Sequence, residues 1–201
     1  NHNTSIDFGV SDDNSDNTSV KINLGGVGTA PVLSDGWNNI SPWSTNIDQS
    51  SDAIFSIDNN PGLTLTLKND GTTSGSWGFN SLNGNLAGNA GYNTGDDSGI
   101  VPDVILDTYV FLENATCEAV VNGLDDSKLY TVKMGGSRDA TGSRITEYTI
   151  GGSTESLECI DNSLGEVTFL SVSSLLGEIT IEVKNTNNQF AYIGWIEIIE
   201  N

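Results

Sequence analysis

The residues with the clearest chemical potential are aromatics and planar hydrogen-bonding side chains set in polar, turn-rich sequence. Trp37 lies in SDGWNNISPWS, followed by Asn38 and Asn39, with Trp43 six residues on. Trp77 and Tyr92 lie in residues 69–99, a stretch with eight glycines from Gly71 to Gly99. The chain's two arginines, Arg138 and Arg144, fall in SRDATGSR beside Asp139, and Asn187 and Asn188 follow later. An indole offers a flat apolar face, while amides and guanidinium groups offer planar hydrogen bonding. Together they suit a ligand with a C–H face and a rim of hydroxyls, which is what a sugar ring presents. Each candidate also has a structural alternative. The tryptophans can plug one end of a core, and the arginines can pair with Asp139 or Glu147. Trp195, in FAYIGWIEII, reads as a core residue.

Carboxylates are the second resource. Asp12, Asn14 and Asp16 alternate in SDDNSDN, and Asp96, Asp97 and Asp103 form another loose group. Carboxylates and backbone carbonyls are the ligands of Ca²⁺, a hard cation. An EF-hand is excluded, because Asn17 stands where the loop needs Gly and no Glu closes it. The expectation is a Ca²⁺ site drawing on Asp12, Asn14, Asp16, Asp96 and Asp97, with solvated acidic turns as the alternative. Cys117 and Cys159 are an even count in strand-like sequence, which predicts a disulfide; two buried thiols are the alternative. Without CxxC spacing a redox or metal pair does not arise.

Other chemistries lack their residues. The only histidine is His2, so neither a Ser-His-Asp nor a Cys-His site can be assembled, nor a His-rich zinc site. A nucleophile elbow and a phosphate-cradling GxxxxGK[ST] loop are both missing. Hydrolysis by two carboxylates remains open because acids abound. With 27 Asp+Glu against 7 Lys+Arg the net charge is −20, which disfavours phosphate backbones and anionic membranes as partners. From residue 69 to residue 127 there are nine acids and no Lys or Arg. No apolar run is long enough for a spanning helix, so membrane insertion is not expected.

Positioning these residues falls to β-strands. Short alternating or β-branched runs recur between Gly, Asn, Asp and Ser, at 5–10, 19–24, 53–57, 63–68, 104–112, 117–121, 129–134, 144–150, 156–160, 166–172, 178–184 and 190–199. The segment ITIEVK alternates cleanly, as a half-buried antiparallel strand does. Helical periodicity is absent. The pattern predicts an all-β, antiparallel sandwich, one domain over 1–201, with 69–99 as a long Gly-rich loop insertion.

From residue 22 onward the landmarks INLGG, GWNNI, VILDTYVFL, VNGLDDSKLYTVKMGGSRDATGSRITEYTIGG, GEVTFLSVS, GEITIEV and AYIGWIEII occur in order. This order resembles galactose-binding-like, jelly-roll β-sandwich domains of secreted, multidomain bacterial proteins, which include carbohydrate-binding modules. The resemblance implies a glycan or polysaccharide as partner. It also implies an extracellular or cell-surface setting beside catalytic or adhesin domains, and a structural Ca²⁺. It implies ligand contacts from loops at one end, here Trp37-Asn38-Asn39, Ser137-Arg138-Asp139 and Asn187-Asn188. The expected function is non-catalytic glycan recognition by Trp37, Asn38, Asn39, Trp43, Trp77, Tyr92, Arg138, Asp139 and Asn188. The alternatives are a Ca²⁺-dependent adhesin domain that binds a peptide or glycan, and a carboxylate-based glycan-active enzyme.

Overall fold

The computed structural model describes residues 18–24, 36–40, 52–58, 60–68, 77–81, 91–186 and 190–201, with 78–81 described by backbone alone. The calls on Asp12, Asn14, Asp16, Trp43 and Asn188 lie outside the described residues, as does most of the Gly-rich stretch.

The described chain forms strands β1 (Ser19–Leu24), β2 (Trp37–Ile40), β3 (Ala53–Ser56), β4 (Thr64–Lys68) and β5 (Gly78–Ser81). A one-turn helix α1 (Asp103–Leu106) follows. Then come β6 (Thr108–Glu113), β7 (Thr116–Asn122), β8 (Leu129–Gly135), β9 (Ile145–Ile150), β10 (Ser153–Glu158), β11 (Val167–Ser173), β12 (Glu178–Asn185), β13 (Phe190–Ile193) and β14 (Trp195–Glu200). Five strands form one sheet in the order β11-β8-β14-β1-β2, and six form another in the order β10-β9-β12-β7-β4-β3. Three strands, β13-β6-β5, form a short third sheet. The expected all-β sandwich is therefore present. Its one parallel pairing among the described strands is β1 with β2.

Alternation accounts for the strands. In β12, Ile179, Ile181 and Val183 are buried while Glu178, Thr180 and Glu182 are not. Ile22, Leu24, Val132, Met134, Ile196 and Ile198 of the five-stranded sheet join these in one core with Leu65, Leu67, Ala119 and Val121. The third sheet adds Tyr109, Val110, Leu112, Ala191, Tyr192 and Ile193 to the same core. On the side of β13 away from β6, main-chain groups are satisfied by side chains of β9. The Tyr192 amide donates to Thr146 Oγ1 at 2.9 Å, and the Tyr148 phenol donates to the Tyr192 carbonyl.

A second apolar cluster, of Trp37, Val101, Ile105, Leu106 and Trp195, is built on β2 and β14 of the five-stranded sheet. The segment 99–107 supplies its aliphatic members. Gly135 makes room for Trp195, since a Cβ there would stand 2.9 Å from the indole nitrogen.

Three expectations are corrected. The predicted strand 104–112 begins as helix, because Pro102 sets the first turn and its carbonyl accepts the Ile105 and Leu106 amides. The predicted strand 190–199 is two strands, broken where Gly194 hydrogen-bonds Gly135 and Leu24. Cys117 and Cys159 are unbridged and buried. Cys117 lies on β7, whereas Cys159 extends the β10 side of its ladder, donating its amide to Arg144. Strands β9 and β12 separate them. Each strand spacing is about 4.8 Å, and a disulfide needs Cα atoms within roughly 7 Å.

Two outcomes follow. Unfolding the protein without reductant should release two titratable thiols, measured with a thiol reagent in denaturant. In the folded state neither should react, since both are buried and burial pushes the Cys159 thiol up to about 12. Replacing Tyr148 with Phe should cost about 1–3 kcal/mol in denaturant melts, because a buried carbonyl on β13 loses its donor.

Candidate functional site

The two arginines meet on one aromatic row. On β6, Tyr109 and Phe111 share a face at period two; on β13, Phe190 and Tyr192 do the same. Register places Tyr192 directly across from Phe111 and Phe190 across from Glu113. The rings pack edge to face: Tyr109 against Tyr192 at 5.1 Å and Phe111 against Phe190 at 5.6 Å. Tyr109 and Tyr192 are buried, whereas Phe111 and Phe190 are half-buried.

Both guanidinium groups lie over this row. Arg138 Nη1 donates to the Tyr109 hydroxyl at 2.9 Å. Arg144 Nη1 reaches the Tyr192 hydroxyl at 3.4 Å, and its Cζ stands 4.6 Å above the Phe190 ring, a cation–π distance. Arg144 Nε is buried and has no hydrogen-bond partner among the described residues. Glu147, expected as an ion-pair partner, is held instead by Lys184 at 2.9 Å. Burial raises the Tyr192 phenol, an effect the nearby Arg144 and Arg138 charges partly offset.

The loop carrying the arginines is fixed at both ends. Arg138 donates its amide to the Cys159 carbonyl and accepts from the Asp161 amide. Glu158 accepts the Arg144 amide at 2.7 Å, the Ser143 hydroxyl and the Ile160 amide. Burial alone would raise the Glu158 carboxyl, but these donors outweigh it and hold it below the usual range. Ser137, buried, accepts the Tyr92 amide at 3.1 Å, which brings half-buried Tyr92 beside this loop. Asp139 is exposed on the same loop.

The remaining sequence candidates are placed differently. Trp37, Asn38 and Asn39 are in strand β2 rather than in irregular loop. Trp37 is 8% exposed, packed edge to face on Trp195 at 6.2 Å, and borders a cavity of about 270 Å³ with Lys21 and Lys133. Asn38 donates to the Lys21 carbonyl. Asn39 accepts from Asn23, whose own carbonyl oxygen accepts from Thr108. Trp77 is 2% exposed within the main core. Neither ring is exposed for stacking: strand β2 turns Trp37 inward, and Trp77, just before β5, lies in the main core.

Asp96, Asp97 and Asp103 build a turn. The Asp103 carboxylate accepts the amides of Thr94, Gly95 and Asp97 and the Thr94 hydroxyl. Asp97 accepts the Asp103 amide, and Asp96 the Ser98 amide. These oxygens accept from N–H and O–H groups of their own loop. Among the described residues no three His, Cys, Asp or Glu side chains gather as a metal-holding group. Burial raises the nearby Asp107 carboxyl.

Of the sequence candidates, Arg138 lies against Tyr109 and Tyr92 beside the same loop, whereas Tyr109, Phe111, Phe190 and Tyr192 were not among them. The available signal was an aromatic pair at i, i+2 in each of two strand-like segments, TYVFL and FAYI.

No protein-family model matches the chain, and no curated protein matches it. Among solved structures, the YxiM protein of Bacillus subtilis is 13% identical, with a TM-score of 0.45 over 92% of this chain and 40% of that one. A calcium-binding mutant of Bacteroides uniformis beta-glucuronidase 2 is 12% identical, with a TM-score of 0.49 over 92% of this chain and 18% of that one. A family 35 carbohydrate binding module from Clostridium thermocellum is 13% identical, with a TM-score of 0.39 over 74% of this chain and 97% of that one. The chain thus spans well under half of the first two proteins, and likeness of this degree assigns neither ligand nor activity.

Two outcomes test the placements. Trp77→Ala should cost about 3–5 kcal/mol of stability, as truncating a buried large aromatic does, in denaturant melts. Burial alone would raise the Asp103 carboxyl, but hydrogen bonds led by Thr94 leave it below its ordinary 3.8. Its contribution is present above pH 3.8 and is lost as the pH falls through the lower folded value. Hydrogen-exchange protection of the Thr94, Gly95 and Asp97 amides, relative to their intrinsic rates, should therefore fall below that pH, and in Asp103→Asn should be low at neutral pH as well.

Proposed function

We propose that the chain is a non-catalytic glycan-binding module of an extracellular, multidomain protein. The observation that carries this reading is the convergence of both arginines of the chain on the Tyr109–Phe111–Phe190–Tyr192 row. Phe111 and Phe190, both half-buried, offer the C–H face of a sugar an apolar contact beside the Arg144 guanidinium that covers one face of Phe190. The forked guanidinium donors and the tyrosine hydroxyls offer its hydroxyl rim planar and adjustable hydrogen bonds. Aromatic stacking surface combined with guanidinium donors supports binding as the role of this cluster.

Such a shallow site binds weakly by itself, and covalent linkage to neighbouring domains raises its effective affinity. The −20 charge disfavours heavily sulfated chains and leaves neutral or weakly acidic glycans as the ligand class.

The test is a glycan array on the intact protein, with and without EDTA, followed by calorimetry on any hit. Phe190→Ala and Arg144→Ala are each expected to weaken binding about tenfold, equivalent to about 1.4 kcal/mol, with a cooperative melt retained at a lower thermal midpoint. Binding that persists in EDTA separates this reading from a Ca²⁺-dependent adhesin domain. Turnover of a glycan, or a hit that both variants bind at wild-type strength, overturns it.

A further inference from the structure

The outer face of the five-stranded sheet carries a straight row of side chains. Register pairs Lys21 of β1 with Trp37 of β2 on one side and with Glu197 of β14 on the other. Glu197 in turn pairs with Lys133 of β8. The next residues along these strands, Ile22, Ile196 and Met134, lie in the main core, so period two turns Lys21, Glu197 and Lys133 outward. All three are half-buried. Val101, Ile105 and Leu106 pack on Trp37 and Trp195 of the same face. The cavity of about 270 Å³ beside Trp37 lies between this segment and the charged row, with Ile100, Val101 and Pro102 as its apolar wall.

The charges in this cavity are not matched where register would match them. Directly opposed residues of antiparallel strands have Cβ atoms about 4.5–5.5 Å apart, so Glu197 has a lysine on each flank. Neither lysine takes it. Lys21 lies over the Trp37 indole at 5.9 Å, and Lys133 pairs with Glu166 at 3.4 Å. The two lysines therefore lean to opposite sides of the sheet, towards β2 and towards β11. Glu197 is left between them with no ion pair among the described residues. Lys21 is likewise the one lysine without an ion pair among the described residues. Because Lys133 and Glu166 neutralise each other, the cavity presents one unmatched cation, one unmatched anion and an apolar wall.

We propose that this cavity binds an α-amino acid with an apolar side chain. Its ammonium group meets Glu197, its carboxylate meets Lys21, and its side chain lies against Ile100, Pro102 and the rim of Trp37. A lining of zero net charge with one unmatched group of each sign is complementary to a zwitterion. It discriminates against simpler ions, since an anion alone meets Glu197 and Glu166 and a cation alone meets Lys21 and Lys133. The size agrees with this class. Pockets for drug-sized ligands run from roughly 300 to 1,000 Å³, so about 270 Å³ suits one small molecule rather than a chain. The site shares no residue with the arginine–aromatic row and does not depend on the glycan reading.

The probe is leucine, titrated into the isotope-labelled full chain and followed by the amide and indole signals in NMR spectra. Saturable shifts are expected at Lys21, Glu197 and the Trp37 indole. Leucinamide lacks the carboxylate and N-acetylleucine lacks the ammonium, so each is expected to bind about tenfold more weakly or worse, as losing a charged hydrogen bond does. Lys21→Met and Glu197→Gln are each expected to weaken leucine by a similar factor with a cooperative melt retained. Lys68→Met, on the other sheet, is expected to bind it as wild type does. The two leucine derivatives need no substitution, so they decide the matter even where a variant fails to fold. The proposal is overturned if leucine gives no saturable shift at this cavity, if either derivative matches leucine, or if folded Lys21→Met or Glu197→Gln binds leucine at wild-type strength.

Discussion

The structure depends on how the outer edge of β13 is satisfied. A short strand that leaves one sheet to pair in another buries main-chain amides and carbonyls that no ladder completes, and each such group is costly if left unpaired. Here Thr146 and Tyr148, both fully buried on β9, supply the acceptor and the donor for Tyr192. This pair of side-chain bonds seats the third sheet against the six-stranded sheet. It holds Tyr192 and Phe190 where β6 brings Tyr109 and Phe111 alongside. The aromatic row and the two arginines above it rest on that junction.

The same arrangement shows how a strongly acidic chain distributes few cations. Lys68, Lys128, Lys133 and Lys184 each pair with a glutamate on the surface. Exposed pairs of this kind add little stability, so their main effect is to lower local repulsion. The two guanidinium groups are used differently: they lie on aromatic rings and phenolic hydroxyls inside a loop clamped by Glu158. Carboxylates serve as local scaffolding in two places, Glu158 around the arginine loop and Asp103 around residues 94–97. In both, backbone amides are the principal donors, and the acid's role is to fix loop conformation.

The sequence by itself determined the all-β architecture, because period-two alternation such as that of EITIEVKN is a local property of side-chain order. It also determined the lack of histidine chemistry and the acidic character, which need only counting. It marked Arg138 and Tyr92 as candidates through residue type. It read Trp37 as loop, since an aromatic flanked by Gly and Asn reads locally as loop whether or not strand pairing turns it inward, and it could not show that Trp77 packs into the main core. Only the tertiary structure decided sheet order, and with it the separation of Cys117 from Cys159. It alone brought Arg138 to Tyr109, 29 residues away, and Arg144 to Tyr192, 48 residues away. Contacts at such separations follow from which strands become neighbours, and that choice belongs to the packing of the whole core rather than to any segment.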